Sequence, residues 1–169
     1  MDALEAIFTR RSVRYYQTRA VSEEQLQILL EAAMNAPSAG NEQAWQFIVI
    51  TDRGIMDAIA EFHPHAQMLT QAPMAVLICG DIRHQQHEGG WVLDCAAATQ
   101  NMLLAAHATG LGAVWVGIHP NTERIERIRD LIGLPSYIVP VSLVPIGHPA
   151  DTPSPVRRYD STRVRKNRW

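Results

Sequence analysis

Apolar residues recur along this chain at two periods, and the changes between them predict an alternation of helices and strands. Asp2 stands where it can cap a first helix in which Leu4, Ile7 and Phe8 share a face. Ser22-Glu23-Glu24-Gln25 forms a capping box ahead of a second helix. Leu26, Leu29, Leu30 and Ala33 make its buried stripe, and it ends before Pro37. Phe47 to Ile50 reads as a strand, Ile55, Ile59 and Phe62 as a short amphipathic helix, and Ala75 to Cys79, apolar throughout, as a strand covered on both faces. Between Trp91 and Thr109 the chain is helical in length and apolar nearly all round, with alanine at 96, 97, 98, 105, 106 and 108. Small side chains let backbones approach closely, which places this helix at the centre of the molecule or in a dimer interface. Gly110 and Gly112 end it, Ala113 to Val116 form a strand, and Ile125, Ile128, Leu131 and Ile132 mark a helix closed by Gly133. Val139 to Ile146 is a last core strand whose Pro140 and Pro145 predict an edge or bulged position.

Length and composition fit one globular domain spanning residues 1–169. Apolar residues at 47% and charged residues at 19% exclude the disordered class. From Pro149 onward the pattern changes: Asp151 to Pro155 is polar and proline-rich, and the last thirteen residues carry Arg157, Arg158, Arg163, Arg165, Lys166 and Arg168 against Asp160 alone. Residues 150–169 therefore read as a basic tail. A net charge of -2 and sparse aromatic residues argue against a nucleic-acid arm, and Trp169 gives the tail an anchor for docking on a surface. Cys79 and Cys95 lie in apolar surroundings and make no disulfide framework, so a cytoplasmic protein is expected. Asp2 and Glu5 at the start, with no apolar stretch beside them, do not resemble a signal peptide. Val92 to Ala108 is interrupted by Asp94, Gln100, Asn101 and His107, so no membrane span is expected.

Candidate chemistry concentrates in two segments. Arg10-Arg11-Ser12-Val13-Arg14 puts three guanidiniums and a hydroxyl within five residues, and the planar donor fork of arginine matches phosphate oxygens. Pro37-Ser38-Ala39-Gly40-Asn41-Glu42-Gln43-Ala44-Trp45 lies between a helix and an apolar strand. Together they point to a bound phosphorylated cofactor. Other motifs fail on position. Gly110-Leu111-Gly112 with Gly117 follows a helix and precedes a strand, the reverse of a dinucleotide-binding turn. His63-Pro64-His65 and His84-Gln85-Gln86-His87-Glu88 read as surface loops without a zinc spacing, so no metal is expected. Ser12 and Ser38 lack a nucleophile elbow, and neither cysteine has neighbouring charges that would lower its pKa. A chain without acid, base or nucleophile leaves the chemistry to a cofactor.

Five segments, in this order, carry a resemblance: Arg10-Arg11-Ser12-Val13-Arg14, Pro37 to Trp45, Gly110-Leu111-Gly112 leading into Trp115-Val116-Gly117, Ile146-Gly147-His148-Pro149, and Arg158-Tyr159-Asp160. Over almost its whole length the chain resembles the small members of the FMN-dependent nitroreductase family. The resemblance implies an α+β fold with a central, mainly antiparallel sheet flanked by helices. It also implies a homodimer with FMN at the subunit boundary and a C-terminal strand that crosses to the partner.

Carried over by position, the resemblance assigns Arg10, Arg11 and Ser12 to the FMN phosphate and ribityl chain, joined by Arg158, and directs Arg14 toward N1 and O2 of the ring. Pro37, Ser38, Asn41 and Gln43 match the segment that approaches the same flavin from the other subunit. Trp115, Val116 and Gly117 match the stretch beside the ring, with a backbone N–H facing N5; strand alternation makes Trp115 itself a core anchor. Two departures stand out: Ala44 replaces a usual proline, and the basic residue that larger members place before the third strand is missing, with Gln67 or His65 in its stead. The implied activity is ping-pong hydride transfer from NADH or NADPH through flavin N5 to a nitroaromatic, quinone or similar small acceptor. The alternatives are specialised flavin chemistry on the same fold, such as dehalogenation or flavin breakdown, or flavin binding without turnover.

Overall fold

Capping fixes where the helices begin. In the computed structural model, which describes residues 1–169, the Asp2 carboxylate accepts the Glu5 amide at 2.9 Å and starts α1 (Ala3–Thr9). Ser22 and Gln25 close the capping box in both directions at the head of α2 (Glu23–Met34). Asp52 caps α3 (Arg53–Phe62) through the Ile55 amide. After the long α4 (Gly90–Ala108), Asn121 caps α5 (Thr122–Ile132), which Gly133 ends at a left-handed φ of 75°.

Five strands form one antiparallel sheet: β1 (Trp45–Ile50), β2 (Met74–Asp81), β3 (Gly112–Ala113), β4 (Val116–Gly117) and β5 (Ile138–Gly147). The order is β1-β2-β5-β3, and β4 pairs with β5 further along the edge that β3 uses. Strand β2 is buried at every position because it feeds two cores. Ala75, Leu77 and Cys79 pack with Met56 and Ile59 of α3 and Ile128 of α5, while Met74, Val76 and Ile78 pack with Leu29 of α2 and Cys95, Ala98 and Met102 of α4. The result is the expected α+β arrangement, a sheet between two helical layers.

Of the two positions expected for Val139 to Ile146, the bulged one holds, and the strand is not at an edge: β5 is central, with β2 on one side and β3 and β4 on the other. Its prolines are tolerated because the ladder to β2 slips between Ile78 and Cys79, opposite Ser142 and Pro140, and because Pro145 faces the gap between β3 and β4, where its carbonyl accepts the Tyr16 hydroxyl at 3.2 Å. Ala113 to Val116 is not one strand either. Val114 and Trp115 lie unpaired between β3 and β4.

One apolar face and one large apolar side chain remain uncovered. Leu4, Ile7 and Phe8 do share a face of α1, but they are 63%, 51% and 66% exposed, and Ala6 alone is buried. On α4 the inner residues Trp91, Cys95, Ala98, Met102 and Ala106 are buried, whereas Leu93 is 73% exposed. No helix is long and apolar enough to cross a membrane.

Candidate functional site

The arginine segment and the residues after it lie against β3 and the chain that leaves β5. Val13 N–H donates to Ala113 O at 3.1 Å, Tyr16 pairs with Pro149, and Gln17 N–H donates to His148 O at 2.9 Å. Close approach demands Gly112, where a Cβ would stand 2.6 Å from Val13 Cγ1. Val13 is buried as a result, while Arg10, Arg11 and Ser12 stay half-buried and Arg14 exposed.

Arg10 and Arg11 line one wall of an open groove of about 630 Å³, together with Ile7, Phe8 and Thr9; the other wall is Pro155 to Tyr159, including Arg158. Arg11 spends its donors on backbone: Nε donates to Ser154 O and Nη2 to Val156 O, both at 3.1 Å, which holds the tail in place. None of Arg10, Arg11 and Arg158 forms an ion pair with a carboxylate. Partial burial, then the charges of Arg11 and Arg158, hold Arg10 below its ordinary pKa. Thr9 Oγ1 donates to Glu5 O at 2.6 Å, so it accepts from His107 Nε2 at 2.7 Å. Burial, followed by the charge of Arg10, pushes His107 down, so this ring adds no positive charge near neutrality. Uncompensated guanidiniums in a groove fit an anion of the charge and size of a phosphate monoester.

A second cavity of about 310 Å³ is lined by Arg14, Pro64, His65, Gln67, Met68, Val114 and Trp115. Here the core-anchor expectation for Trp115 fails. The indole is 38% exposed because the alternation runs with the opposite face inward: Val114, Val116 and Ile118 are buried, which leaves Trp115 outside. Gln67 and His65, the expected stand-ins for a missing basic residue, share the cavity wall with Arg14.

Beside this cavity, β4 presents its backbone outward. Ile118 N–H donates to Val141 O at 3.1 Å, so alternation in the antiparallel ladder turns the Val116 N–H into β5 and both the N–H and C=O of Gly117 away from it. A Cβ added at Gly117 would meet nothing within 4 Å, and its φ is not left-handed, so neither packing within the chain nor backbone torsion requires glycine. Open space on the Cβ side of Gly117, beside an amide turned away from β5, fits the close approach of a planar ring. The Gly117 carbonyl is held by two donors, His63 Nε2 at 2.9 Å and Arg124 Nη1 at 3.2 Å. His63 was read as a surface-loop residue, yet it is 1% exposed at the C-terminal cap of α3. A histidine following the amphipathic run to Phe62 was the available signal for burial.

Pro37, Ser38, Asn41 and Gln43 do not join the arginines within the chain. They pack beside the start of α4, where Ala39 N–H donates to Asp94 Oδ1 at 2.9 Å and Gln43 N–H to Ser38 Oγ at 3.1 Å. Gly40, Asn41 and Gln43 all adopt left-handed backbone, with φ of 55°, 56° and 51°. For Gln43 this is strain of about 1 kcal/mol or more, of the kind that clusters at binding sites. Glu42 Oε1 accepts from His87 Nδ1 at 2.7 Å, and Glu42 Oε2 and Asp94 Oδ2 are buried without partners. His84 stands 3.8 Å from Asp81. Burial pushes the Cys79 and Cys95 thiols up to about 12, so neither is a nucleophile.

Comparison with known proteins gives a consistent result. The model of the Nitroreductase family matches residues 7–66 and 61–148. A protein of Methanothermobacter thermautotrophicus, provisionally named NADH dehydrogenase/NAD(P)H nitroreductase, is 46% identical over 169 residues, which cover 100% of this chain and 88% of that one. A crystal structure of a similarly named protein from Parabacteroides distasonis superposes with a TM-score of 0.95 at 41% identity, covering 98% of both chains. A provisionally named nitroreductase from Desulfovibrio desulfuricans, solved in complex with FMN, has a TM-score of 0.86 at 33% identity, over 100% of this chain and 99% of that one.

Proposed function

The chain belongs to the nitroreductase family, and from that premise we propose that it acts as a homodimer with FMN at the subunit boundary, reducing a nitroaromatic, quinone or similar small electrophile by a ping-pong cycle. It is an NAD(P)H-dependent oxidoreductase, and FMN is its cofactor. One observation carries the reading of the site: Arg10, Arg11 and Arg158 gather in one groove with no carboxylate to balance them. A bound dianion relieves that repulsion.

When bound, FMN supplies the two-electron chemistry, taking hydride from NADH or NADPH and passing the electrons to the second substrate. Arg10 and Arg158 hold its phosphate, Ser12 lies beside the ribityl chain, and Arg11 keeps the tail closed over both. Arg14 supplies a fixed cation toward the pyrimidine end of the ring, where negative charge accumulates on reduction. Gly117 offers its N–H from the open edge of β4. Pro37, Ser38, Asn41 and Gln43, apart from the arginines in their own chain, complete the site of the opposite copy. The exposed apolar face of α1 and Leu93 of α4 supply the interface, and the C-terminal tail, with Trp169 fully exposed, docks on the partner.

Steady-state rates measured at several concentrations of NADH or NADPH and of a quinone test the cycle. Parallel double-reciprocal lines are expected, and lines that intersect contradict it.

A further inference from the structure

We propose that Glu42 is a positioning residue for the flavin site of the opposite copy, fixing Asn41 and Gln43 through a latch on Gln86 and His87; this rests on the shared-site reading above. One carboxylate oxygen carries the latch. Glu42 Oε1 accepts from the Gln86 and His87 amides, both at 3.0 Å, and from His87 Nδ1 at 2.7 Å. The imidazole also closes over Gly40, where a Cβ would stand 3.0 Å from His87 Cε1. Glu42 itself is turned inward, its side chain 1% exposed, while Asn41 and Gln43 on either side of it are exposed.

Other contacts hold the two ends of the segment. Ala39 N–H donates to Asp94 Oδ1 of α4, and the Ala44 carbonyl accepts the Asp81 amide at 2.8 Å beside the first rung of the β1–β2 ladder. Between these ties, the hydrogen bonds that join residues 40–43 to anything outside the segment 37–44 all end on Glu42 Oε1. Left-handed backbone at Asn41 and Gln43 persists only where the surroundings enforce it, and Glu42 sits between the two. A buried carboxylate whose Oε2 has no partner is costly, and an apolar side chain would avoid that cost. The latch gives the charge a use. It presents two polar side chains outward in one arrangement, so that they meet the cofactor with little loss of freedom on binding.

The test uses full-length variants titrated with FMN. Glu42→Leu, which fills the same space without an acceptor, weakens FMN about tenfold, the equivalent of one hydrogen bond. Glu42→Gln, whose amide oxygen still accepts, keeps the wild-type affinity. His87→Ala, changed at a side chain 62% exposed, weakens FMN about threefold. It stands in if Glu42→Leu does not fold, and an unchanged affinity is then equally decisive. A heterodimer of Glu42→Leu with Arg10→Ala, selected with two affinity tags, regains one site of wild-type affinity, because the arginines of the first chain meet the intact segment of the second. General damage to the Glu42→Leu chain would not be repaired in this way. A Glu42→Leu protein that binds FMN as the wild type does overturns the proposal, as does a glutamine variant as weak as the leucine. A heterodimer without the tight site overturns the shared-site reading, and a wild type that binds no FMN overturns the cofactor reading itself.

Discussion

Arg11 donates its Nε–H to the Ser154 carbonyl at 3.1 Å, across 143 positions of sequence. Two adjacent arginines thus divide the work: Arg11 fixes the tail, and Arg10 is left facing Arg158 across the groove. Arg11→Ala is expected to free the tail without abolishing the phosphate grip. Trypsin should then cut faster after Arg157 and Arg158, with FMN affinity falling about tenfold or less. Unchanged cleavage would show that the tail is held elsewhere.

Arg10→Ala and Arg158→Ala should each weaken FMN by about 1.5 to 3 kcal/mol, ten- to a hundredfold, through loss of a charge-assisted contact. Without FMN the same variants should be no less stable at low salt, since each removes a like charge from a crowded groove. Titrations at matched ionic strength and apo melting curves check both halves.

Gly117→Val and Val116→Ala separate crowding of the cofactor from damage to the fold. A Cβ at Gly117 meets no atom of the chain, so the valine variant should fold normally without FMN and lose flavin reduction once loaded. Val116 is 2% exposed, so its truncation should cost about 2 kcal/mol of stability while the backbone keeps reduction intact. Anaerobic stopped-flow reduction and denaturant unfolding are the two readouts.

Stability should fall on mild acidification. His63 and His107 both lie below their ordinary pKa, each chiefly through burial. The unfolded chain therefore takes up protons first, and the contribution of these groups is complete above pH 6.5 and lost as pH falls toward their folded values. Melting temperature measured between about pH 7 and pH 5 should drop, and His63→Gln should flatten the slope. An identical slope in that variant would remove His63 from the cause.

Local signals were legible in the sequence wherever one residue type does one job. The Ser22–Gln25 capping box and the wholly apolar β2 each state their structure in a few residues. What escaped depends on tertiary partners. Pro140 and Pro145 left edge and bulge open, and only the register slip and the gap between short strands decide for a bulged, central β5. For Trp115 the alternation holds but the inward face is the other one, taken by Val114, Val116 and Ile118, a choice that depends on the packing of β5 and the helices around it. His63 looked like loop because the carbonyl it serves is 54 positions away. The arginine cluster was visible at once, but Arg11 and Arg10 have the same side chain, and only the course of the tail distinguishes clamp from ligand.

The most direct measurement is the visible spectrum of FMN-saturated protein under anaerobic conditions, before and after addition of NADH or NADPH and then of a quinone. The flavin bands should bleach with the nicotinamide and return in full with the acceptor. Bands that persist in excess NADH and excess NADPH would contradict an oxidoreductase and leave a flavin carrier in its place.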